Sequence, residues 1–98
     1  MSRRFVFHVL AERELTDAVD FYERAKSGLG SDFVDDVERA LAQVEQYPES
    51  GYVLIGSVRR LLLRRFPYAV MYSVRPEEIK ILAIANLKRR PFYWQGRD

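Results

Sequence analysis

The sequence lacks cysteine altogether and has a single histidine, His8, among its 98 residues. These absences exclude disulfide frameworks, thiolate zinc sites and cysteine nucleophiles, and one histidine does not make a metal cluster. Long hydrophobic runs are missing too. The N-terminal stretch MSRRFVFHVL has only six mostly apolar residues before Ala11 and Glu12, too few for a signal peptide or a membrane span. We therefore expect a cytoplasmic protein without a metal or a cofactor.

The composition that remains is typical of one globular domain. Hydrophobic residues make up 48% of the sequence and charged residues 31%, which provides enough apolar surface to offset the conformational entropy lost on folding. A chain of this length builds one core and not two. We therefore expect a single domain over residues 1–98.

Charge is divided unevenly between the two halves of the sequence. Residues 1–50 hold six Lys/Arg against eleven Asp/Glu, a net charge of −5, whereas residues 51–98 hold ten against three, a net charge of +7. The basic half is suited to a polyanion or to an acidic segment of a partner. Charge alone leaves an alternative open, in which the two halves neutralise one another across the fold.

The first third of the sequence predicts a strand and an amphipathic helix. Residues 5–10 are FVFHVL, a short β-branched and aromatic run typical of a strand, where a lone histidine favours a structural role over a catalytic one. From Ala11 to Ala25, apolar residues recur at the i, i+4, i+7 and i+8 positions of one helical face. The stretch SGLGS that follows predicts a turn, to which we assign Gly28 and Gly30.

A second helix is predicted to run to about Tyr47, with Pro48 and Gly51 marking its end, so that the two helices form a hairpin. Its apolar stripe consists of Phe33, Val37, Ala40, Leu41 and Val44. Its first turns carry Asp32, Asp35, Asp36 and Glu38, which the positive end of the helix dipole favours. Three carboxylates at these spacings do not share one helix face, so we expect no metal site there.

The rest of the sequence predicts three strands in a meander, with the segments VRRLLLRRF (58–66), YAVMYSVR (68–75) and EIKILAIANL (78–87). Their short connections imply antiparallel neighbours, and Pro67 and Pro76 fall between them. With the N-terminal strand, the prediction is an α+β fold: one four-stranded, mainly antiparallel sheet packed on two helices, whose other face can remain open. Segment 78–87 is apolar at nearly every position, which favours a central strand or one covered by a partner.

Four arginines lie on the first segment of the meander, and strand alternation divides them into two pairs. Arg60 and Arg64 are predicted to share one face of the strand, and Arg59 and Arg65 the other. One pair must therefore approach the helices. These side chains are either solvated or paired with the acidic helices, or they form part of a binding surface.

The order of these elements, with the fragments GLG.DF, P..G, RRFPYAVMY, ILAIAN and RRPFYW, resembles the ParE/RelE superfamily of toxins from bacterial type II toxin–antitoxin systems. The resemblance covers nearly the whole chain, and the order and spacing of the fragments carry it more than any one of them. It implies a small toxin held silent in a hetero-oligomer by a cognate antitoxin. The acidic and apolar C-terminal segment of that antitoxin is expected to lie against the basic strands.

The RelE-like branch of the superfamily cleaves mRNA in the ribosome, which requires a base, an acid and cations around the reacting phosphate. Where that branch carries three cationic residues, this sequence has Arg60, Leu62 and Ala69, so that two of the three are missing. Tyr93 matches the C-terminal tyrosine of the branch. If the chain were such an endoribonuclease, the resemblance would assign catalysis to Arg60, Arg64 and Tyr93.

The ParE-like branch, which is associated with poisoning of DNA gyrase, is the better match. The shared features are the FPY turn at residues 66–68 and the tail KRRPFYWQGR at residues 88–97, although Asn86 replaces a histidine usual near the start of that tail. The resemblance implies a toxin of the plasmid-stabilisation type that binds and poisons its target, and so no enzyme. A ribosome-dependent mRNA endoribonuclease and an inactive binding module with the toxin fold remain the alternatives.

The residue types of the tail favour binding on physical grounds. Guanidinium groups and the rings of tyrosine and tryptophan are enriched where interfaces derive most of their energy. The alternative is that Phe92 or Trp94 folds back onto the sheet and that the arginines are merely solvated. The predicted target-binding residues are Arg60, Arg64, Arg65, Arg89, Arg90, Tyr93 and Trp94.

Overall fold

Seven elements follow one another in the computed structural model, which describes residues 3–97. They are β1 Arg4–Phe7, α1 Val9–Ala25, α2 Leu29–Gln46, β2 Tyr52–Ile55, β3 Val58–Leu62, β4 Tyr68–Val74 and β5 Glu78–Asn86. The strands form one sheet in the order β1-β5-β4-β3-β2. β1 runs parallel to β5, and every other pair of neighbours is antiparallel.

The α+β class, the helical hairpin and the antiparallel meander are confirmed, but the sheet has five strands and not the predicted four. The additional strand, β2, pairs with β3 in a hairpin whose connecting residues are Gly56 and Ser57. Gly56 has a φ of +54°, a left-handed conformation that glycine adopts without steric penalty. A Gly-Ser pair between two apolar segments is therefore the hairpin signal that the sequence offered.

The N-terminal strand is shorter than predicted, because His8 begins the first helix instead of continuing the strand. Its Nδ1 atom accepts a hydrogen bond from the Leu10 amide at 3.1 Å, which satisfies one of the unpaired N–H groups at the start of α1. β1 ends at Phe7 and α1 starts at Val9, before the predicted Ala11. The connection between the parallel strands β1 and β5 runs through the helical hairpin and then through β2, β3 and β4, so it is long enough for a parallel pair.

The two helices approach closely where Gly30 lies. A Cβ atom at this position would lie 2.8 Å from the Val19 carbonyl oxygen and 3.0 Å from the Cβ of Glu23, so only glycine allows this contact. Gly28 lies in the turn as predicted, but Gly30 belongs to α2. The prediction that both glycines form the turn is therefore wrong for Gly30.

The first apolar core lies between the helices and the sheet. Tyr22 and Phe33 from the helices meet Phe66 and Tyr68 near the start of β4, in an aromatic cluster with ring centroids 4.7–6.1 Å apart. The predicted apolar stripes of both helices face this core, except for the exposed Ala25. Within residues 3–97, neither helix has the length and apolarity needed to cross a membrane.

A second apolar core lies on the opposite face of the sheet and accounts for the unbroken apolar run in β5. The register between β4 and β5 shifts between Met71 and Tyr72, so that Leu82 is an extra residue in β5. Because of this bulge, Leu82 and its neighbour Ala83 lie on the same side of the sheet. The buried members of the second core are Ala69, Met71, Leu82, Ala83, Ala85 and Trp94. The chain itself thus covers part of the face that, by the prediction, could remain open.

Candidate functional site

The C-terminal segment, residues 87–97, turns back over the second core. Trp94 lies in this segment and packs above Ala69, Ala83 and Ala85, and only 3% of its surface is exposed. Small side chains on the two strands leave the room that an indole ring needs. The structure therefore places Trp94 in the core and not among the surface contacts predicted for it.

A pocket of about 150 Å³, the basic pocket, lies beside Trp94. Arg60 of β3 reaches it from one side, and Arg89 and Arg90 of the C-terminal segment reach it from the other. The guanidinium carbon of Arg89 lies 3.9 Å from the centroid of the Tyr93 ring, a cation–π contact that restricts its side chain. The pocket is lined by Leu54, Arg60, Met71, Ala85, Leu87, Arg89, Arg90, Pro91, Phe92, Tyr93 and Trp94. Three of the five predicted target-binding arginines thus meet at one place.

Arg60 is held in position by Tyr52 on the neighbouring strand. Its guanidinium carbon lies 4.7 Å from the centroid of the Tyr52 ring, and its Nη2 atom donates a hydrogen bond to the Tyr52 hydroxyl. The buried Nε atom of Arg60 has no hydrogen-bond partner among residues 3–97. A buried donor of this kind gains free energy when a ligand supplies an acceptor. Arg59 points to the other side and donates to the Gly51 carbonyl oxygen at 2.8 Å.

Arg64 and Arg65 lie apart from the basic pocket, in the turn between β3 and β4. β3 ends before them, so the prediction that Arg64 continues the strand on the same face as Arg60 is wrong. The backbone amides of Arg64 and Arg65 donate to the Asp36 carboxylate at 3.2 and 2.8 Å, which takes both residues out of the strand ladder. The Arg65 side chain forms an ion pair with Asp32 at 3.4 Å. These two arginines therefore form a separate basic group near the start of α2.

Asp36 anchors this turn. Its carboxylate belongs to a residue that is only 6% exposed, and it lies 3.3 Å from the Nε atom of Arg39. Burial alone would raise the pKa of Asp36, but the amide hydrogen bonds from Arg65 and Arg64 and the Arg39 guanidinium outweigh burial and hold the pKa below its ordinary value. Across residues 3–97, no group of three His, Asp or Glu side chains is arranged to hold a metal ion.

We expect Asp36→Asn to lower the free energy of unfolding by about 2–3 kcal/mol at neutral pH, because its amide nitrogen would face N–H donors. Folding lowers the pKa of Asp36, so its carboxylate stabilises the fold above the unfolded-state pKa of about 4 and loses this effect as the pH falls through the folded-state pKa. Denaturant unfolding followed by circular dichroism should show the difference from wild type shrinking in acid. Asp35→Asn, at an exposed neighbour, is the control, and an equal loss in both variants would contradict this role.

Glu14 of α1 ties the C-terminal segment to the helices and was not among the residues predicted from the sequence. Its two carboxylate oxygens accept hydrogen bonds from the Arg97 guanidinium, each at 3.0 Å, and one of them also accepts from the Tyr93 hydroxyl at 2.9 Å. Glu14 further accepts a hydrogen bond from the Ile84 amide at 3.1 Å. The available signal was its place on the buried helix face, four residues before the buried Ala18.

Tyr93 takes part in this network as a half-buried donor. Burial raises the pKa of Tyr93 well above its ordinary value, and the hydrogen bond to Glu14 and the charge of that carboxylate raise it further. The hydroxyl is therefore protonated at physiological pH and is poorly suited to act as a general base. The candidate catalytic set of Arg60, Arg64 and Tyr93 is also divided, because Arg64 does not line the basic pocket.

Residues 5–91, from β1 into the C-terminal segment, match the family model described as ParE toxin of type II toxin-antitoxin system, parDE. Among solved structures, a chain of the chromosomal ParDE TA system from P. aeruginosa has a TM-score of 0.75 and 22% sequence identity, over 88% of this chain and 97% of that chain. This similarity shows a shared fold. No curated protein matches the sequence. Since the family model covers most of the sequence, including Arg60, Arg89 and Arg90, the chain belongs to the ParE toxin family of type II toxin–antitoxin systems.

Proposed function

We propose that this chain is the toxin of a type II toxin–antitoxin pair of the plasmid-stabilisation type, and that it poisons DNA gyrase by binding to it. The observation that carries the proposal is the basic pocket, where Arg60, Arg89 and Arg90 form a rim around an apolar floor that includes Trp94. In the part of the chain that the structure describes, the residues lining this pocket include no carboxylate and no imidazole. Such a surface is suited to binding a partner and poorly suited to proton transfer.

Phe92 extends the apolar part of this surface. Its φ of +60° is a left-handed conformation that is unfavourable for a bulky residue, and 44% of its surface is exposed. Backbone strain of this kind amounts to about 1–3 kcal/mol and concentrates at functional sites, where the surrounding structure imposes it. We therefore assign Phe92 to the contact surface, together with Arg89 and Arg90.

Ribosome-dependent cleavage of mRNA is the principal competing function, and the observations favour it less. The Tyr93 hydroxyl donates to Glu14 and has a raised pKa, and Arg64 lies outside the basic pocket. Leu62 and Ala69 also stand where the RelE-like branch carries cations. Cleavage of mRNA needs a general acid and a general base beside the reacting phosphate. Of the candidate residues, Tyr93 is already hydrogen-bonded to Glu14, and Arg64 lies away from the pocket.

We further propose that the antitoxin neutralises this toxin by laying an acidic and apolar segment over the basic pocket. The net charge of +7 on residues 51–98 would attract such a segment, and the apolar floor would accept its side chains. The neighbouring edge strand β2 exposes Tyr52, Val53 and Ile55, which a partner would also cover. Toxin and antitoxin would then form a hetero-oligomer in the cytoplasm, in which the target is excluded by occlusion.

The test is the supercoiling activity of purified DNA gyrase at increasing concentrations of the protein. We expect inhibition that the cognate antitoxin relieves, and growth arrest when the protein is expressed alone. Growth arrest without gyrase inhibition would reject gyrase as the target. Cleavage of translated mRNA at the ribosomal A site would favour the endoribonuclease. Expression that leaves growth unaffected, with stable co-purification of the antitoxin, would favour the inactive binding module.

A further inference from the structure

We propose that Glu14 is a positioning residue for target binding, because it fixes the C-terminal segment that presents Arg89 and Arg90. This inference rests on the proposed function, in which those arginines contact the target. Glu14 does not line the basic pocket itself, but its Oε2 atom lies 2.9 Å from the Tyr93 hydroxyl and 3.9 Å from Nη1 of Arg89, and both of these residues do line it. Its effect on the target is therefore indirect and passes through Tyr93 and Arg97.

Arg97 is the other half of this anchor. Its side chain is 11% exposed, that of Glu14 is 15% exposed, and Arg97 also donates to the Leu82 carbonyl oxygen at 3.1 Å. A guanidinium group buried to this degree is stable only when it is paired, and truncation of its carboxylate partner leaves an uncompensated charge. The least unfavourable response is for the end of the segment to leave the sheet and return Arg97 to water.

Release of the segment would disturb the floor and the rim of the basic pocket together. Trp94, which forms part of the floor, is 3% exposed, and undocking of the residues on either side of it is expected to expose its ring. On the rim, the guanidinium carbon of Arg89 lies 3.9 Å from the centroid of the Tyr93 ring. The guanidinium carbon of Arg97 lies 5.1 Å from the same centroid. Because the Tyr93 hydroxyl is held by Glu14, one carboxylate orders both parts of the pocket.

Apart from the hydrogen bond that Glu14 accepts from the Ile84 amide of β5, the anchor is separate from the contacts that hold the helices on the sheet. The side chains of Glu14, Tyr93 and Arg97 are not members of the first apolar core, which is built from the helix stripes and the facing strands. Glu14→Gln keeps an oxygen that can accept from the Ile84 amide, so this variant in particular is expected to keep its helices and its sheet while the C-terminal segment moves. This separation makes the positioning role measurable in a folded protein.

The experiment compares Glu14→Gln and Glu14→Ala with Glu12→Gln, which removes the same charge from an exposed position of α1. Trp94 is the single tryptophan of the chain, so its emission maximum and its quenching by acrylamide report on docking of the segment. For both Glu14 variants we expect red-shifted emission, faster quenching and unchanged far-UV circular dichroism. Gyrase inhibition should weaken about tenfold, because the preorganisation of the arginines is lost. Arg97→Gln should reproduce these effects, and Glu12→Gln should behave as wild type.

Unchanged Trp94 emission in the Glu14 variants would overturn the anchor. A red shift with undiminished inhibition would overturn the positioning role, since the segment would then be mobile without consequence for the target. If the wild-type protein arrests growth but does not inhibit gyrase, the proposed target fails, and growth arrest by the same variants decides the role of Glu14. If it does neither, the toxin function fails and the positioning role fails with it, whatever the fluorescence shows.

Discussion

Replacement of Trp94 by alanine is expected to lower the free energy of unfolding by about 3–5 kcal/mol, the range for truncation of a buried aromatic side chain. The indole is 3% exposed and packs on Met71 and on the small residues Ala69, Ala83 and Ala85. Alanine side chains on paired strands have no freedom to move into the space that the ring leaves, so the cavity would persist. For a domain of this size, whose stability is about 5–15 kcal/mol, the loss would be a large fraction of the total.

The measurement is denaturant unfolding followed by far-UV circular dichroism, because the Trp94→Ala variant has no tryptophan fluorescence. Phe92→Ala is the matched control, because it removes a neighbouring ring from the same segment, and Phe92 is 44% exposed. We expect this control to change stability by less than about 1 kcal/mol. Equal losses in the two variants would contradict the docked position of the C-terminal segment.

The order of the elements could be predicted from the sequence because most of them carry their own periodic signal. The stripes of α1 and α2 repeat at helical spacing, and Pro67 and Pro76 separate the strands of the meander. β2 was missed because YVLI has four residues, the length of a connection, and no alternation between polar and apolar positions. The apolar run of β5 correctly indicated a central strand, since β5 lies between β1 and β4, but the bulge at Leu82 depends on pairing with β4.

The site was less predictable, because its geometry depends on tertiary contacts. Arg60 faces the second core because its register partner in β4 is Met71, and Arg89 meets it only because the C-terminal segment turns back. The amides of Arg64 and Arg65 bind Asp36, a residue twenty-eight positions before Arg64, and this contact ends the strand earlier than its composition indicates. Patterns in the local sequence do not identify such long-range contacts.

The uneven distribution of charge is only partly neutralised within the fold. Some ion pairs do join the two halves of the chain: Asp32 pairs with Arg65 at 3.4 Å, and Glu14 pairs with Arg97 at 3.0 Å. The first pair is largely exposed and contributes little, whereas the second is shielded from water and is unfavourable to break. Arg90 and Arg60 line a pocket without carboxylates in the described part of the chain, so positive potential remains on that face.

The double variant Arg89→Ala with Arg90→Ala is expected to weaken target binding and growth arrest about a hundredfold. Arginines at the centre of an interface commonly contribute about 1–2 kcal/mol or more each, and about 1.4 kcal/mol corresponds to a factor of ten in affinity. Both side chains are exposed and line the basic pocket, and 54% of the Arg89 side chain is accessible to solvent. Alanine avoids the repulsion from Glu14 that a charge reversal would introduce.

The control for this prediction is Arg13→Ala with Arg24→Ala, which removes the same charge from exposed positions on α1, away from the basic pocket. Gyrase inhibition by both double variants and by wild type would be measured at low and at physiological salt. Because an exposed guanidinium group attracts its partner more strongly when screening is weak, the wild-type protein should lose more potency with salt than Arg89→Ala with Arg90→Ala. If the α1 control lost as much potency as the double variant in the C-terminal segment, net charge rather than the basic pocket would govern target binding.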